Sequence, residues 1–147
     1  MSRADRYLRA CRKESVDCTP VWIMRQAGRY LEEYRAVRAK HSFIEVCKTP
    51  ELVVEITLQP VRRFEIDAAI IFADILLPLE NMGIDFEFTK GDGPQINNTV
   101  RTRADVEKMR AIKPAEEMGY LMDAIRMAIL EYFLMIGGLH LIILMCP

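Results

Sequence analysis

A chain of 147 residues that is 51% apolar and 28% charged has the size and balance of one soluble globular domain. A formal net charge of −1 argues against a general nucleic-acid binder. Four cysteines (Cys11, Cys18, Cys47, Cys146) without C-x-x-C spacing, and only His41 and His140 for imidazole, argue against a zinc site.

The charge is uneven. Residues 1–64 carry 13 Lys/Arg against 8 Asp/Glu, and residues 65–147 carry 7 against 13. A basic first half suits an anionic small molecule, or equally a set of solvated helix faces. The start, Ser2-Arg-Ala-Asp-Arg-Tyr, has no apolar core segment and does not read as a secretory signal. Free thiols in a reducing cytoplasm are the simplest expectation.

In chain order, Arg3 to Lys13 reads as a polar helix, broken by Thr19-Pro20. Val21-Trp22-Ile23-Met24 reads as a short buried strand or extended run, with Trp22 in the core. Arg25 to Tyr30 is a turn or a first helical turn, and Tyr30 to Ala39 is helical. Ser42 opens a short helix with Glu45 at the capping-box position. Thr49-Pro50-Glu51 starts the next helix, with Thr as its cap; Pro60 should kink it or end its first part.

Asp67-Ala-Ala-Ile-Ile-Phe72 is a continuous apolar run of the kind found in parallel strands buried on both faces. Asp74 follows it, and a brief helix runs from Leu77 to Met82. Ile84 to Phe88 alternates apolar and acidic residues, as a half-exposed strand does. Gly91-Asp-Gly-Pro94 is a turn, and its Asp92 lacks the further acids of a calcium loop. Ala104 to Arg110 and Ala115 to Phe133 read as helices. The end, Leu134 to Cys146, is almost wholly apolar; Leu139 to Met145 reads as a strand with an unpaired edge that invites self-association. Gly137-Gly138 and Glu131 interrupt the stretch, so it does not read as a membrane span.

This order indicates an α/β fold. An acid at the C-terminal end of a buried parallel strand is where a (β/α)₈ TIM barrel places catalytic groups, and such a barrel needs about 250 residues. The chain can hold only the N-terminal part of one, an incomplete barrel.

Arg25 and Arg29 sit four apart around Gly28. Guanidinium forks pair bidentately with carboxylates, and a glycine allows a sharp turn or a close ligand approach. Spacing alone leaves a solvated surface turn equally open. Asp74 alone suits either a helix cap or a ligand-facing acid. Arg35 and Arg38, on the next helix, are candidates to reach the same pocket. Phe72 reads as core.

The string Met24-Arg-Gln-Ala-Gly-Arg-Tyr-Leu31, with Ile70-Ile-Phe-Ala-Asp-Ile-Leu-Leu-Pro78, resembles the N-terminal half of the uroporphyrinogen decarboxylase family. Further matches are Thr57-Leu-Gln-Pro-Val-Arg-Arg-Phe, Pro78-Leu-Glu-Asn-Met-Gly, Gly93-Pro94 and Val100-Arg-Thr. The resemblance implies a (β/α)₈ barrel that works without a metal or organic cofactor, usually as a homodimer. It implies removal of carbon dioxide from the four acetate side chains of uroporphyrinogen to give coproporphyrinogen. It implies Asp74 and Arg25 as catalytic residues, and Arg25, Gln26, Ala27, Gly28, Arg29, Arg38 and Asp74 as substrate contacts.

Three departures stand out. Leu31-Glu-Glu replaces the family's Leu-Pro-Glu, Phe72-Ala-Asp replaces Phe-Ser-Asp, and from Met127 on, over residues 128–147, the chain reads as a divergent apolar tail. The implied partners are a porphyrinogen and either a second copy or a complementary C-terminal half, with no nucleic acid and no membrane. A non-catalytic fragment that binds a porphyrin or a partner is the alternative. A related corrinoid or thiol methyltransferase is a further one, although its thiolate and histidine zinc ligands have no counterpart here.

Overall fold

The computed structural model describes residues 1–89, 93–136 and 144–145. The chain divides into two compact units, one of Met1–Ala73 with Tyr120–Pro147 and one of Asp74–Gly119.

The first unit opens with α1 (Arg3–Cys11), capped by the Ser2 hydroxyl, which accepts from the Asp5 amide at 3.1 Å. After an irregular stretch come α2 (Glu32–Lys40), α3 (Phe43–Lys48) and α4 (Pro50–Arg63). The Ser42/Glu45 capping box on α3 forms as its sequence dictates. Thr49 departs from expectation. It stands at the N-cap of α4, but its hydroxyl donates back to the Glu45 carbonyl at 2.8 Å and so serves the end of α3. The two helices share one junction residue, and only one of them can use its side chain.

Pro60 does not end α4, which continues to Arg63. A proline this close to the C-terminus removes only one helical hydrogen bond, the one to the Ile56 carbonyl. Burial of α4 from Val53 to Val61, broken only by Glu55, offsets the loss. Leu31, Tyr34, Val37, Val46 and Ile56 form a core against which Ala27, Leu52, Phe64 and Phe72 pack. Phe72 meets Tyr34 and Phe43 edge-on, at centroid distances of 5.7 and 5.9 Å.

Within the apolar run at 67–72, the regular strand is β1 (Ile70–Ile71), fully buried and parallel to β4 (Leu144–Met145). Thr57 on α4 accepts from the Phe72 amide at 3.0 Å and fixes the end of β1. Asp67 is not part of the strand: only 3% exposed, it accepts from Arg6 and from the Val21 amide, each at 2.7 Å.

Residues 21–24 correct the expectation of burial. Val21, Trp22, Ile23 and Met24 are 52%, 36%, 49% and 55% exposed, so Trp22 is not in the core. Hydrophobicity shows that a segment seeks cover, whereas burial depends on what lies beside it.

The helix expected from Ala115 to Phe133 is interrupted. α7 (Pro114–Glu117) ends at Met118, whose φ of −117° and ψ of 39° leave the helical region, and α8 (Gly119–Ile136) begins anew. On α8, Leu121, Ala124, Ala128 and Tyr132 are buried at helical spacing, while Ile129, Leu130 and Leu134 are exposed. Of the expected tail strand, Leu144 and Met145 pair with β1; residues 139–143 lie outside the described residues. No described helix is long and apolar enough to cross a membrane.

The second unit holds α5 (Leu77–Asn81), the antiparallel pair β2 (Phe86–Thr89) and β3 (Gly93–Ile96), α6 (Arg103–Lys108) and α7. Gly93 has φ +77° and opens β3, where Pro94 pairs with Phe88. Gly91 and Asp92 of the expected turn lie outside the described residues. Thr102 and Asp105 close a second capping box at α6.

Candidate functional site

The Arg-Gln-Ala-Gly-Arg segment is a pair of tight turns rather than a helix. The Gln26 amide donates to the Ile23 carbonyl and the Leu31 amide to the Gly28 carbonyl, both at 3.0 Å. The apolar and amide residues go inward: Gln26 is 1% exposed, Leu31 is buried, and Ala27 packs on the core.

The Gln26 carboxamide is spent on the backbone. Its Nε2 donates to the Ala68 carbonyl at 3.2 Å, and its Oε1 accepts from the Ile23 amide at 3.4 Å. Four further contacts brace the loop. Tyr30 donates its hydroxyl to the Gln26 carbonyl, and its ring stacks on Phe64 at 6.4 Å. Burial pushes the Tyr30 hydroxyl pKa up. Arg35 donates to the carbonyls of Arg29 and Tyr30 at 2.8 and 3.2 Å. Arg35 thus acts on the loop's backbone, a role the sequence alone did not distinguish from a ligand contact.

What remains outward is charge. Arg25 and Arg29 are exposed, and neither guanidinium makes a hydrogen bond or ion pair among the described residues. Two cations held out by a braced loop, without carboxylates of their own, are suited to an anionic ligand.

Gly28 has no positive φ, and a Cβ there would meet the Tyr30 ring at 3.7 Å and the Arg25 carbonyl at 4.0 Å, both ordinary contacts. The fold therefore does not require glycine at this position. Arg38 is half-buried. It donates to the His41 carbonyl at the end of α2 and lies 5.6 Å from the Phe43 ring centroid, so its guanidinium closes a helix end.

Asp74 opens the second unit. It is half-buried, its Oδ1 accepts from the Leu76 amide at 2.8 Å, and its carbonyl accepts from Leu77 at 3.3 Å. The carboxylate braces the turn that leads into α5. Its Oδ2 makes no hydrogen bond among the described residues, so bracing the turn leaves one carboxylate oxygen uncommitted.

The feature that sequence reasoning missed is the Arg6–Asp67 pair and its extension to Asp17. Arg6 grips Asp17 bidentately, at 2.7 and 3.0 Å, while its Nη1 reaches Asp67. The available signal was an acid at the head of an apolar run, where only a paired carboxylate is stable. Among the described residues, no group of three or more His, Cys, Asp or Glu is placed to hold a metal ion.

A sequence model of the family Uroporphyrinogen decarboxylase (URO-D) matches residues 2–139. A uroporphyrinogen decarboxylase of Sorangium cellulosum is 60% identical over 123 residues, which are 84% of this chain and 35% of that protein. One of Carboxydothermus hydrogenoformans is 60% identical over 122 residues, 83% of this chain and 35% of that protein. One of Chloroflexus aurantiacus is 50% identical over 138 residues, 94% and 38% respectively. The chain thus spans little more than a third of the length of these relatives. Among solved structures, a methyltransferase from Methanosarcina mazei superposes with a TM-score of 0.72 over 97% of this chain and 41% of its own, at 21% identity. At that identity the likeness concerns the fold alone.

Proposed function

The chain belongs to the uroporphyrinogen decarboxylase family, and from that premise we propose that it carries the N-terminal portion of a (β/α)₈ barrel acting on uroporphyrinogen. The reaction is the stepwise loss of carbon dioxide from the four acetate side chains, giving coproporphyrinogen. The parallel β1–β4 pair supports the barrel reading. The single observation that carries the substrate reading is the braced loop with two unpaired arginines.

Loss of carbon dioxide leaves an electron pair that needs a sink. Protonating the pyrrole carbon beside the acetate makes the ring itself that sink. In this reading Arg25 and Arg29 hold substrate carboxylates, and Gln26, Ala27 and Gly28 shape the surface between them. Asp74 accepts from pyrrole N–H groups and stabilises the cationic ring electrostatically. Arg38 contributes positive potential from the end of α2. Arg25 also stands near the proton delivery, although an arginine is a poor acid. The chemistry asks for no metal or organic cofactor.

The working form is an assembly: a homo-oligomer, or this portion together with a complementary C-terminal half. Free thiols at Cys11, Cys18 and Cys47 support a cytoplasmic setting. The alternative reading is a porphyrin- or partner-binding role without turnover. Titration with uroporphyrin, the oxidised analogue of the substrate, tests binding; decarboxylation assays with and without the remaining family portion separate the two readings.

A further inference from the structure

His41 and Ser42 join α2 to α3, and His41 is held through its amide, its carbonyl and its ring. The amide donates to the Val37 carbonyl at 3.1 Å, the carbonyl accepts from Nη1 of Arg38, and ring Nδ1 lies 2.6 Å from Oε1 of Glu45. An ionised carboxylate only accepts, so Nδ1 carries the hydrogen of that contact. Glu45 is itself fixed by the capping box: its Oε2 accepts from the Ser42 amide at 3.2 Å, and its own amide donates to the Ser42 hydroxyl at 3.1 Å. The His41 and Ser42 contacts hold the Glu45 carboxyl below its usual range.

Arg38, on the last turn of α2, is anchored through one end of its guanidinium. Nη1 is spent on the His41 carbonyl, and the group lies 5.6 Å from the Phe43 ring centroid, within cation–π distance. The Nε–Nη2 edge makes no hydrogen bond among the described residues. That edge is a fork that takes a carboxylate bidentately. A long side chain anchored before its ligand arrives loses less freedom on binding than an unanchored one.

We propose that His41 is a positioning residue for Arg38: its ring contact with Glu45 fixes the carbonyl that holds Nη1, and so presents the uncommitted Nε–Nη2 edge to a carboxylate of the tetrapyrrole. The proposal rests on the reading of Arg38 as part of the substrate surface. The His41 ring touches no ligand in this account. It acts through a backbone carbonyl, and its effect on binding therefore vanishes when the Arg38 side chain is absent. A brace that merely joins α2 to α3 would act on stability, and on affinity only without regard to Arg38.

The test is a double-mutant cycle on uroporphyrin affinity, read by fluorescence titration of the full chain, with urea unfolding beside it to follow stability. His41→Ala should weaken binding about threefold or more. In the Arg38→Ala background the same change should leave affinity unaltered. His41→Asn keeps a donor near the Nδ1 position and should restore most of the affinity. Glu45→Gln retains a side chain that completes the capping box but loses the charged acceptor. It should weaken binding in the parent chain and not in Arg38→Ala, and it decides the matter if His41→Ala does not fold. Equal losses in both backgrounds, no loss in either, or no recovery with His41→Asn overturns the positioning role and leaves the reading of Arg25 and Arg29 standing. Arg38→Ala that binds as tightly as the parent chain takes Arg38 off the substrate surface and overturns it too. Absence of any uroporphyrin binding by the parent chain overturns both.

Discussion

Gln26 donates through Nε2 to the carbonyl of Ala68 at 3.2 Å, fastening the loop that carries Arg25 and Arg29 to the chain that enters β1. The bond is buried, so its loss leaves polar backbone groups without partners. Gln26→Ala should destabilise the chain by about 1–3 kcal/mol, measured by urea unfolding. It should also weaken uroporphyrin binding although no charge has been removed. Unchanged stability would mean that the loop is held by Tyr30 and Arg35 alone.

The loop's architecture shows what was legible in the sequence. The string of residues 24–31 marked the braced loop, and inward Gln26 and Ala27 with outward arginines explain its spacing. Capping at Ser42 and the helix starts at Pro50 and Leu77 followed from local chemistry. The exposure of Trp22 did not, because burial is a property of neighbours rather than of the segment. Nor did the use of Arg38 to close α2 or of Asp67 to hold Arg6, since arginine and aspartate serve structure and ligand with the same atoms.

The Arg6–Asp67 pair joins α1 to the chain before β1, with Asp67 almost fully buried. Removing Arg6 leaves the buried Asp67 carboxylate without its cation, whereas Arg6 keeps Asp17 when Asp67 is removed. Arg6→Met should cost about 3–5 kcal/mol in denaturant unfolding. The double variant with Asp67→Ala should cost less than the sum of the single changes. Strict additivity would show the two residues to be energetically independent.

The Arg6 side chain holds the Asp17 carboxyl well below the usual carboxylate range. A depressed carboxyl stabilises the fold above its unfolded value, about 3.9, and that contribution fades as pH falls through the folded value. The stability difference between the chain and Asp17→Asn should therefore be flat from about pH 5 to 8 and close below about pH 4. A difference that persists undiminished at lower pH would assign the effect to packing.

Gly28→Ala separates fold from site. The added methyl meets the Tyr30 ring and the Arg25 carbonyl at ordinary contact distances, so stability should change by no more than about 0.5 kcal/mol. Uroporphyrin affinity should fall at least severalfold, because the methyl occupies the surface between the two arginines. Equal affinity would place the ligand elsewhere.

Asp74→Asn preserves the carboxylate's shape and the turn to Leu76 but removes its charge. In any assembly that turns over, the decarboxylation rate should fall about 100-fold or more, with a much smaller change in substrate affinity. An unchanged rate would remove Asp74 from the chemistry.

Presentation of Arg25 and Arg29 to the carboxylates of a tetrapyrrole is read by fluorescence titration with uroporphyrin at low and high salt. Binding should weaken as salt rises, because the exposed guanidinium groups are screened. Arg29→Ala and Arg25→Ala should each lose about 1.5–3 kcal/mol of affinity, and the double variant should bind weakly with a shallower salt dependence. Affinity that is indifferent to salt and unchanged in both single variants would place the tetrapyrrole away from these arginines.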